Sequence, residues 1–347
     1  MNGTEILEWL REEDEARLSE LWALADRLRR ANVGDDVHLR GLIEVSNHCA
    51  RQCAYCGIRA GNRGLERYRM PEDEIISCAR EAVKRRYGTV VMQAGEDPGI
   101  AREWMATIIR RIKAETPLAV TLSLGERSFD DLRAWREAGA DRYLLRFETS
   151  NRALYDRYHP PLGRQRSDRL ALLKEIRTLG YEVGSGVMVG LPGQTHEDLA
   201  NDLELFRELD LDMIGVGPYI PHPDTPLWSA AAAATPLADQ VPNTEVMGYK
   251  VVALTRIVCP FANIPSTTAL ATLSGDASRQ LGLERGANVV MPNLTPTPYR
   301  AKYDIYPSKG RVQVATDEGD RLIREGIAAI GRKVGVGRGD SRRRHGG

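Results

Sequence analysis

Short apolar runs alternate with longer amphipathic segments along most of the chain. The short runs are rich in Val, Ile and Leu and end at Gly, Ser, Thr or Pro, which is typical of strands buried on both faces. The longer segments carry apolar residues at the spacing of a helix. The pattern predicts strands at 39–46, 89–94, 119–124, 142–147, 182–189, 213–219, 263–268 and 288–292, and helices at 71–86, 100–115, 128–138, 168–179, 196–209, 244–258 and 277–284.

Eight strands separated by helices predict an α/β fold with a parallel sheet, and eight strands close a TIM-type (β/α)8 barrel. An open doubly wound sheet is the alternative. Polar residues follow nearly every predicted strand, which favours a barrel with its site at the carboxyl ends of the strands. We expect three units: an N-terminal helical extension at 1–36 with one amphipathic helix over 4–30, the barrel at 37–333, and a Gly- and Arg-rich tail at 334–347 that is disordered.

Neither the net charge nor the apolar content of the chain indicates binding to nucleic acid or to a membrane. The 347 residues contain 48 Lys plus Arg and 48 Asp plus Glu, so no net charge draws the chain to nucleic acid or to a membrane surface. No apolar run approaches the about 20 residues of a membrane span. The N-terminus lacks the basic-then-apolar order of a signal peptide, so we expect a cytoplasmic protein with no membrane or nucleic-acid partner.

Three of the five cysteines lie in the motif Cys49-Ala-Arg-Gln-Cys53-Ala-Tyr-Cys56. An iron–sulfur cluster normally takes four Cys ligands, so a three-Cys loop leaves one iron open to chelate a small molecule. A zinc site and chance clustering are the alternatives, but structural zinc takes four ligands, usually in two separated pairs. The remaining cysteines, Cys78 and Cys259, are interpreted as buried apolar residues.

At these cysteines the chain resembles the radical S-adenosylmethionine (SAM) superfamily. It is similar over about residues 40–310 to the HydE-type [FeFe]-hydrogenase maturases, in the group that includes biotin synthase and methylornithine synthase. The stretches that carry the resemblance are 68–71, 93–98 (Gln-Ala-Gly-Glu-Asp-Pro), 121–126, 141–146, 188–195 (Met-Val-Gly-Leu-Pro-Gly-Gln-Thr), 217–226, 286–293 and 298–300.

The resemblance implies a (β/α)8 barrel whose [4Fe–4S] cluster reductively cleaves SAM to a 5′-deoxyadenosyl radical. It further implies a cysteine-bearing Fe(CO)₂(CN) substrate, made by another hydrogenase maturase and attacked at sulfur during assembly of the two-iron subcluster. A one-electron donor such as flavodoxin or ferredoxin would reduce the cluster. A related mutase or lyase acting on an amino acid, like methylornithine synthase, is the second hypothesis, and a non-catalytic metal-binding scaffold is the third.

The resemblance also suggests roles for individual residues. Cys49, Cys53 and Cys56 would bind the cluster and carry catalysis. SAM would contact Tyr55, Gly95, Glu96, Asp97, Glu126, Glu148, Arg169 and Met188. The substrate would contact Arg146, Thr267, Thr268, Tyr299, Arg300, Tyr303 and Tyr306.

The chain departs from the family pattern in two places. Phe147 stands where many members carry His after the arginine of the fourth strand, which replaces a polar contact by an apolar one. Residues 310–333 contain none of the three cysteines that many members use for an auxiliary cluster, so we expect no second cluster. The predicted barrel strands also lack the cysteines that biotin synthase uses for its sacrificial cluster, which argues against sulfur insertion by that route.

Overall fold

A computed structural model of the chain describes residues 1–163, 166–233, 238–267, 269–270, 276–305, 307 and 317–342. Its strands are β1 Asp36–Ser46, β2 Thr89–Ala94, β3 Ala119–Ser123, β4 Arg142–Leu144, β5 Glu182–Val189, β6 Met213–Pro218, β7 Val289–Val290 and β8 Lys333–Val334. Its helices are α1 Gly3–Arg11, α2 Glu15–Val33, α3 Glu72–Lys84, α4 Arg102–Glu115, α5 Phe129–Glu137, α6 Arg152–Tyr158, α7 Arg169–Thr178, α8 His196–Glu208, α9 Pro226–Ala233, α10 Glu245–Val258, α11 Asp276–Glu284, α12 Thr297–Arg300 and α13 Asp317–Ala329.

The strands form one parallel sheet in the order β6-β5-β4-β3-β2-β1-β7. Isolated parallel bridges continue the sheet from Met213 of β6 to Asn263, and from Pro265 to Val289 of β7. Since β7 pairs with β1, these bridges return the sheet to its first strand. The predicted α/β fold of the TIM type is therefore confirmed. The predicted strand at 263–268 is represented by bridges at 263 and 265, and β8 pairs with the start of β1 as an additional strand.

The N-terminal segment forms two helices, α1 and α2. The prediction of a single helix over 4–30 is therefore wrong. Asn2 caps α1 in a reciprocal capping box with Glu5, and Asp14 accepts a hydrogen bond from the backbone N–H of Arg17 to begin α2. Glu12 is extended, with ψ of 130°. The capping side chain of Asp14 satisfies a donor at the start of a helix, which favours a new helix over continuation of α1.

Helix α10 attaches this N-terminal extension to the barrel. It packs against α2 and α8 on its outer side and against β6 on its inner side. Val251, Val252, Ala253 and Leu254 are all buried, so the helix is apolar on every face over this stretch. None of the helices in the described ranges is both long and apolar enough to cross a membrane.

The tail expected to be disordered instead covers the amino-terminal ends of the strands over residues 338–341. The hydroxyl of Thr89 donates to the carbonyl of Arg338 at 2.8 Å. The Arg40 guanidinium and the Asn263 amide donate to the carbonyl of Gly339 at 3.0 and 3.1 Å. The composition of this segment resembles disordered sequence, but buried donors at the barrel floor need acceptors, and its backbone carbonyls supply them.

Charged side chains complete this floor. Arg142, which is fully buried, forms an ion pair with Glu182 at 2.7 Å and another with Asp340. The backbone N–H of Ser341 donates to Glu182 at 2.9 Å. Residues 343–347, the end of the tail, lie outside the described residues, and the division of the chain into three units stays a prediction.

Candidate active site

The loop that follows β1 brings Cys49, Cys53 and Cys56 to the wall of one cavity of about 270 Å³ at the carboxyl ends of the strands. Backbone hydrogen bonds fix the loop at three places. Ala50 donates to Glu96 after β2, Ala54 donates to Tyr158 at the end of α6, and Gly57 donates to Ile305. The close spacing of the cysteines in sequence and these long-range hydrogen bonds together place the three thiols in one cavity.

The three thiols are the predicted ligands of an iron–sulfur cluster. Among the described residues, no three His, Cys, Asp or Glu side chains converge on one ion position. A cubane cluster binds its cysteines at three separate iron corners, which requires wider spacing than a zinc ion does. Burial raises the pKa of the Cys49 and Cys53 thiols, and a bound metal would stabilise the thiolates that burial disfavours.

Two glycines allow close approaches in this region: Gly95 brings the end of β2 to the cysteine loop, and Gly125 brings the end of β3 to Glu96. A Cβ atom on Gly95 would lie 2.3 Å from the carbonyl oxygen of His48 and 2.7 Å from the Cβ atom of Cys49. A Cβ atom on Gly125 would lie 1.9 Å from Cγ of Glu96, and Gly125 has a φ of +76°. Both positions therefore exclude a side chain.

Four charged residues form a closed set of ion pairs beside the thiols, which we call the charge quartet: Arg51, Glu96, Glu126 and Arg169. Arg51 contacts Glu96 at 2.5 Å and Glu126 at 2.8 Å. Arg169 contacts Glu96 at 3.0 Å and Glu126 at 2.9 Å. Although burial acts to raise it, the pKa of Glu126 is lowered by Arg169, by a hydrogen bond from Ser167 and by Arg51. Glu126 is therefore held ionised, and the set contains two cations for two carboxylates.

An aromatic wall faces the cysteine loop from α6. The hydroxyl of Tyr55 lies 2.5 Å from Nε2 of His159, and the His159 ring stacks on Tyr155 with centroids 4.3 Å apart. Burial lowers the pKa of His159 well below its usual value, so its imidazole is neutral. The Tyr155 hydroxyl contacts the Ser167 hydroxyl at 2.8 Å, and Ser167 in turn donates to Glu126. The wall thereby connects Tyr55 to the charge quartet.

The cavity continues toward the barrel interior into a chamber of about 200 Å³. Gln93 and Arg146 line both spaces, and so does Thr267. Arg146 pairs with Glu148 at 3.2 Å, and the Gln93 amide donates to the Tyr303 hydroxyl at 3.1 Å. The inner chamber is thus lined by hydrogen-bond donors and by the cations Arg40 and Arg146.

Most residues singled out from the sequence line the upper cavity. They are Cys49, Cys53, Tyr55, Cys56, Gly95, Glu96, Arg146, Glu148, Arg169, Met188, Thr267 and Tyr303. Glu126 reaches this group through the quartet. Thr268 and Tyr306 lie outside the described residues. The individual roles of these side chains stay predictions.

Three of the residues singled out point elsewhere. The Asp97 carboxylate, buried beneath the strand end, accepts hydrogen bonds from Arg69 at 2.7 and 2.8 Å and from Ser46 at 2.6 Å. The Tyr299 hydroxyl donates to Glu74 at 2.9 Å, and Arg300 is buried on the short helix α12 away from both cavities.

Phe147 is also part of the packed core. Its ring lies 5.6 Å from that of Phe206, and it lines neither the upper cavity nor the inner chamber. The apolar residue that replaces the family His therefore lies in the packed core and not in the wall of these two cavities.

Sequence reasoning did not single out Arg51 or His159. Arg51 lies between two predicted cluster ligands in the cysteine motif, and this position alone could have indicated that it belongs to the site. The sequence contains no comparable indication for His159, because its contact with Tyr55 joins residues 104 positions apart.

Comparison with known proteins places this geometry in a family. A model described as "Radical SAM superfamily" matches residues 43–206, a range that contains the cysteine loop and the whole charge quartet. The [FeFe] hydrogenase maturase subunit HydE of Thermotoga maritima is 44% identical over 349 aligned residues, covering 96% of each chain. The chain belongs to the HydE family of radical SAM enzymes. A HydE-type enzyme is therefore expected to use a [4Fe–4S] cluster and SAM, as the superfamily implies.

More distant relatives agree with the HydE assignment at the level of fold. The 3-methylornithine synthase of Methanosarcina acetivorans is 26% identical and covers 80% of this chain and 75% of its own. The crystal structure of methylornithine synthase superposes with a TM-score of 0.81 at 23% identity, covering 96% of this chain and 94% of that one. The crystal structure of HydG, described as a maturase of the [FeFe]-hydrogenase, gives 0.77 at 19% identity, covering 96% and 71%. These two structures show a shared fold.

Proposed function

We propose that this enzyme acts in the assembly of the two-iron subcluster of [FeFe]-hydrogenase, on a cysteine-bearing Fe(CO)₂(CN) precursor. The observation that carries the proposal is the 44% identity to a hydrogenase maturase along nearly the whole of both chains. The cluster and SAM, when bound, would supply a carbon-centred radical for reaction at the substrate sulfur. Cys49, Cys53 and Cys56 would hold the cluster, and the charge quartet would orient SAM.

The inner chamber offers the groups that such a substrate requires. A cysteine carboxylate and a cyanide ligand accept hydrogen bonds and carry negative charge, and a guanidinium binds a carboxylate with paired donors. Arg146 and Gln93 face the chamber from above, and Arg40 lines it near the floor. Within the described residues Arg40 has no carboxylate within ion-pair distance, and burial is the main cause that lowers its pKa to about 9. An anionic substrate would balance this charge.

The test is hydrogenase maturation. The chain, loaded anaerobically with iron and sulfide, replaces HydE in a mixture of apo-hydrogenase, the other maturases, SAM and a reductant. A flavodoxin or ferredoxin would serve as the donor in the cell, and dithionite serves in the assay. We expect active hydrogenase, and less of it with the Arg146→Gln variant while SAM cleavage without substrate persists. SAM cleavage with no hydrogenase activity would overturn the proposal.

A related amino-acid mutase or lyase is the second candidate, favoured by the 26% identity to 3-methylornithine synthase. Incubation with lysine, SAM and dithionite, followed by mass spectrometry, separates the two. A rearranged amino acid isomeric with lysine would establish the second candidate, whereas unchanged lysine together with hydrogenase activation would remove it. The cytoplasmic location stays a prediction.

A further inference from the structure

Arg51 joins two parts of the site that lie far apart in sequence. It stands between the first two cysteines of the motif, and its side chain reaches across to carboxylates at the ends of β2 and β3. The residue is 9% exposed, so its guanidinium is largely removed from water. Removing one partner of such a buried ion pair leaves an uncompensated buried charge, which is strongly unfavourable.

The other arginines near the cysteines do not make this connection. Arg67 donates to the backbone carbonyls of Asn47, Ile58, Arg59 and Asn62, which organises the loop internally. Arg59 donates to the carbonyl of Gln52 at 3.5 Å. Among the described residues of the loop between positions 49 and 68, Arg51 is the side chain that pairs with acids of the quartet.

The two arginines of the quartet approach the acids from different elements. Arg169 is the first residue of α7 and also donates to the carbonyl of Arg146 at 2.7 Å. Arg51 approaches from the cysteine loop. If Arg169 turns to the carboxylate of SAM, as its family role implies, Arg51 remains as the cation that compensates Glu96 and Glu126.

We propose that Arg51 is a positioning residue that couples the order of the cysteine loop to the SAM-binding acids. The guanidinium holds Glu96 and Glu126 in place only while the loop is folded, so the SAM site is complete only when the cluster loop is. The backbone hydrogen bond from Ala50 to Glu96 is a second tie between the same segments. The inference rests on the cluster and SAM in the proposed function and is independent of the maturation substrate.

Hydrogen exchange of the cluster-free protein tests the coupling without turnover. In the Arg51→Gln variant we expect amide exchange to accelerate about tenfold both at 49–56 and at the strand ends 95–97 and 125–127, because each side loses its partner. The Arg59→Gln variant removes a nearby loop cation that contacts no acid, and it should match wild type. Acceleration confined to the loop, with the strand ends unchanged, would overturn the coupling.

Binding measurements on the cluster-loaded, oxidised enzyme give the second readout. We expect the Arg51→Gln variant to bind SAM about 10–100-fold more weakly by isothermal titration, the range typical when a supporting partner is removed. Its iron and sulfide content should equal that of wild type. In a Glu126→Gln background the same substitution should weaken SAM binding by a smaller factor, since residues in one network are not additive.

The outcomes of these experiments test the role of Arg51 separately from the proposed function. A fully loaded Arg51→Gln variant with wild-type SAM affinity would overturn the role of Arg51. If that variant takes up no iron, the exchange experiment and the Arg51→Lys variant test the role of Arg51 instead. Lysine keeps the positive charge but lacks the planar guanidinium that binds both carboxylates. Lysine should restore loading and leave SAM affinity reduced; full affinity with lysine would overturn the role. Wild-type enzyme that cleaves SAM without maturing hydrogenase would instead overturn the proposed function alone.

Discussion

Asp202 is a fully buried carboxyl group whose ionisation should set the pH dependence of stability. It lies on α8, and one of its oxygens accepts a hydrogen bond from the backbone N–H of Ser150 at 2.5 Å. No cation in the described part of the chain pairs with it. Burial is the main cause that raises the pKa of Asp202 to about 7, and the Asp198 carboxylate raises it further.

The sign and size follow from the difference between the folded and unfolded chains. The pKa of the unfolded aspartate is near 3.8, so the shift is about three units. Each unit is worth about 1.4 kcal/mol, which gives about 4 kcal/mol as the order of magnitude. Because the folded pKa is raised, the stabilisation is fully present below about pH 4 and is lost as the pH rises through about 7.

The Asp202→Asn variant tests this reasoning because it keeps the acceptor for Ser150 and removes the charge. We measure the free energy of unfolding of cluster-free protein in urea at several pH values. Relative to the variant, wild type should lose about 2–4 kcal/mol between about pH 5 and about pH 8. The Asp130→Asn variant, an exposed change on α5, should show no such trend. A difference between wild type and Asp202→Asn that is the same at every pH would refute the argument.

Three further predictions concern the site and the barrel floor. The Cys53→Ala variant should lose iron uptake and formation of 5′-deoxyadenosine. Cys78→Ala, at a buried core residue that does not line the cavity, should retain both. Equal losses would contradict the ligand assignment. The Gly95→Ala variant should bind less iron per chain by colorimetric assay, because its new Cβ overlaps the cysteine loop, while Gly64→Ala has room for the methyl group and should load normally. The Arg142→Met variant should lose about 3–5 kcal/mol of unfolding free energy in urea, since the buried Glu182 carboxylate loses its cation while Asp340 keeps its ion pair with Arg338. A loss below about 1 kcal/mol would mean that the floor is not held by this cation.

Most of the barrel could be predicted because its strands are buried on both faces and read as apolar runs between amphipathic helices. The exceptions have local causes. β4 is only three residues long, and the pairing continues as an isolated bridge at Glu148. The Asp14 cap divides a segment whose apolar periodicity continues on both sides. The covering of the floor by residues 338–341 depended on buried donors contributed by distant strands, which composition does not reveal.

The residues of the candidate site likewise fall into those that the sequence could predict and those that it could not. The cysteine ligands could be predicted because their spacing is local. The partner of Arg51 was not predictable, since Glu96 lies 45 residues away. Glu96 and Asp97 are neighbours in sequence, yet one faces the cavity and the other faces Arg69 beneath it. Both residues follow the end of β2, where the chain bends, so their side chains enter different surroundings and the motif alone could not assign both to SAM.

The covered floor also constrains the order of events during turnover. The inner chamber lies below the thiol-lined cavity, and residues 338–341 occupy the opposite end of the barrel. Under the proposed function, a substrate of this chamber would enter through the thiol-lined cavity where SAM would bind, given the floor that the described residues form, so it would arrive first and its product would depart last. Steady-state kinetics should then follow a compulsory sequence, in which a large excess of SAM inhibits by occupying the entrance before the substrate has entered.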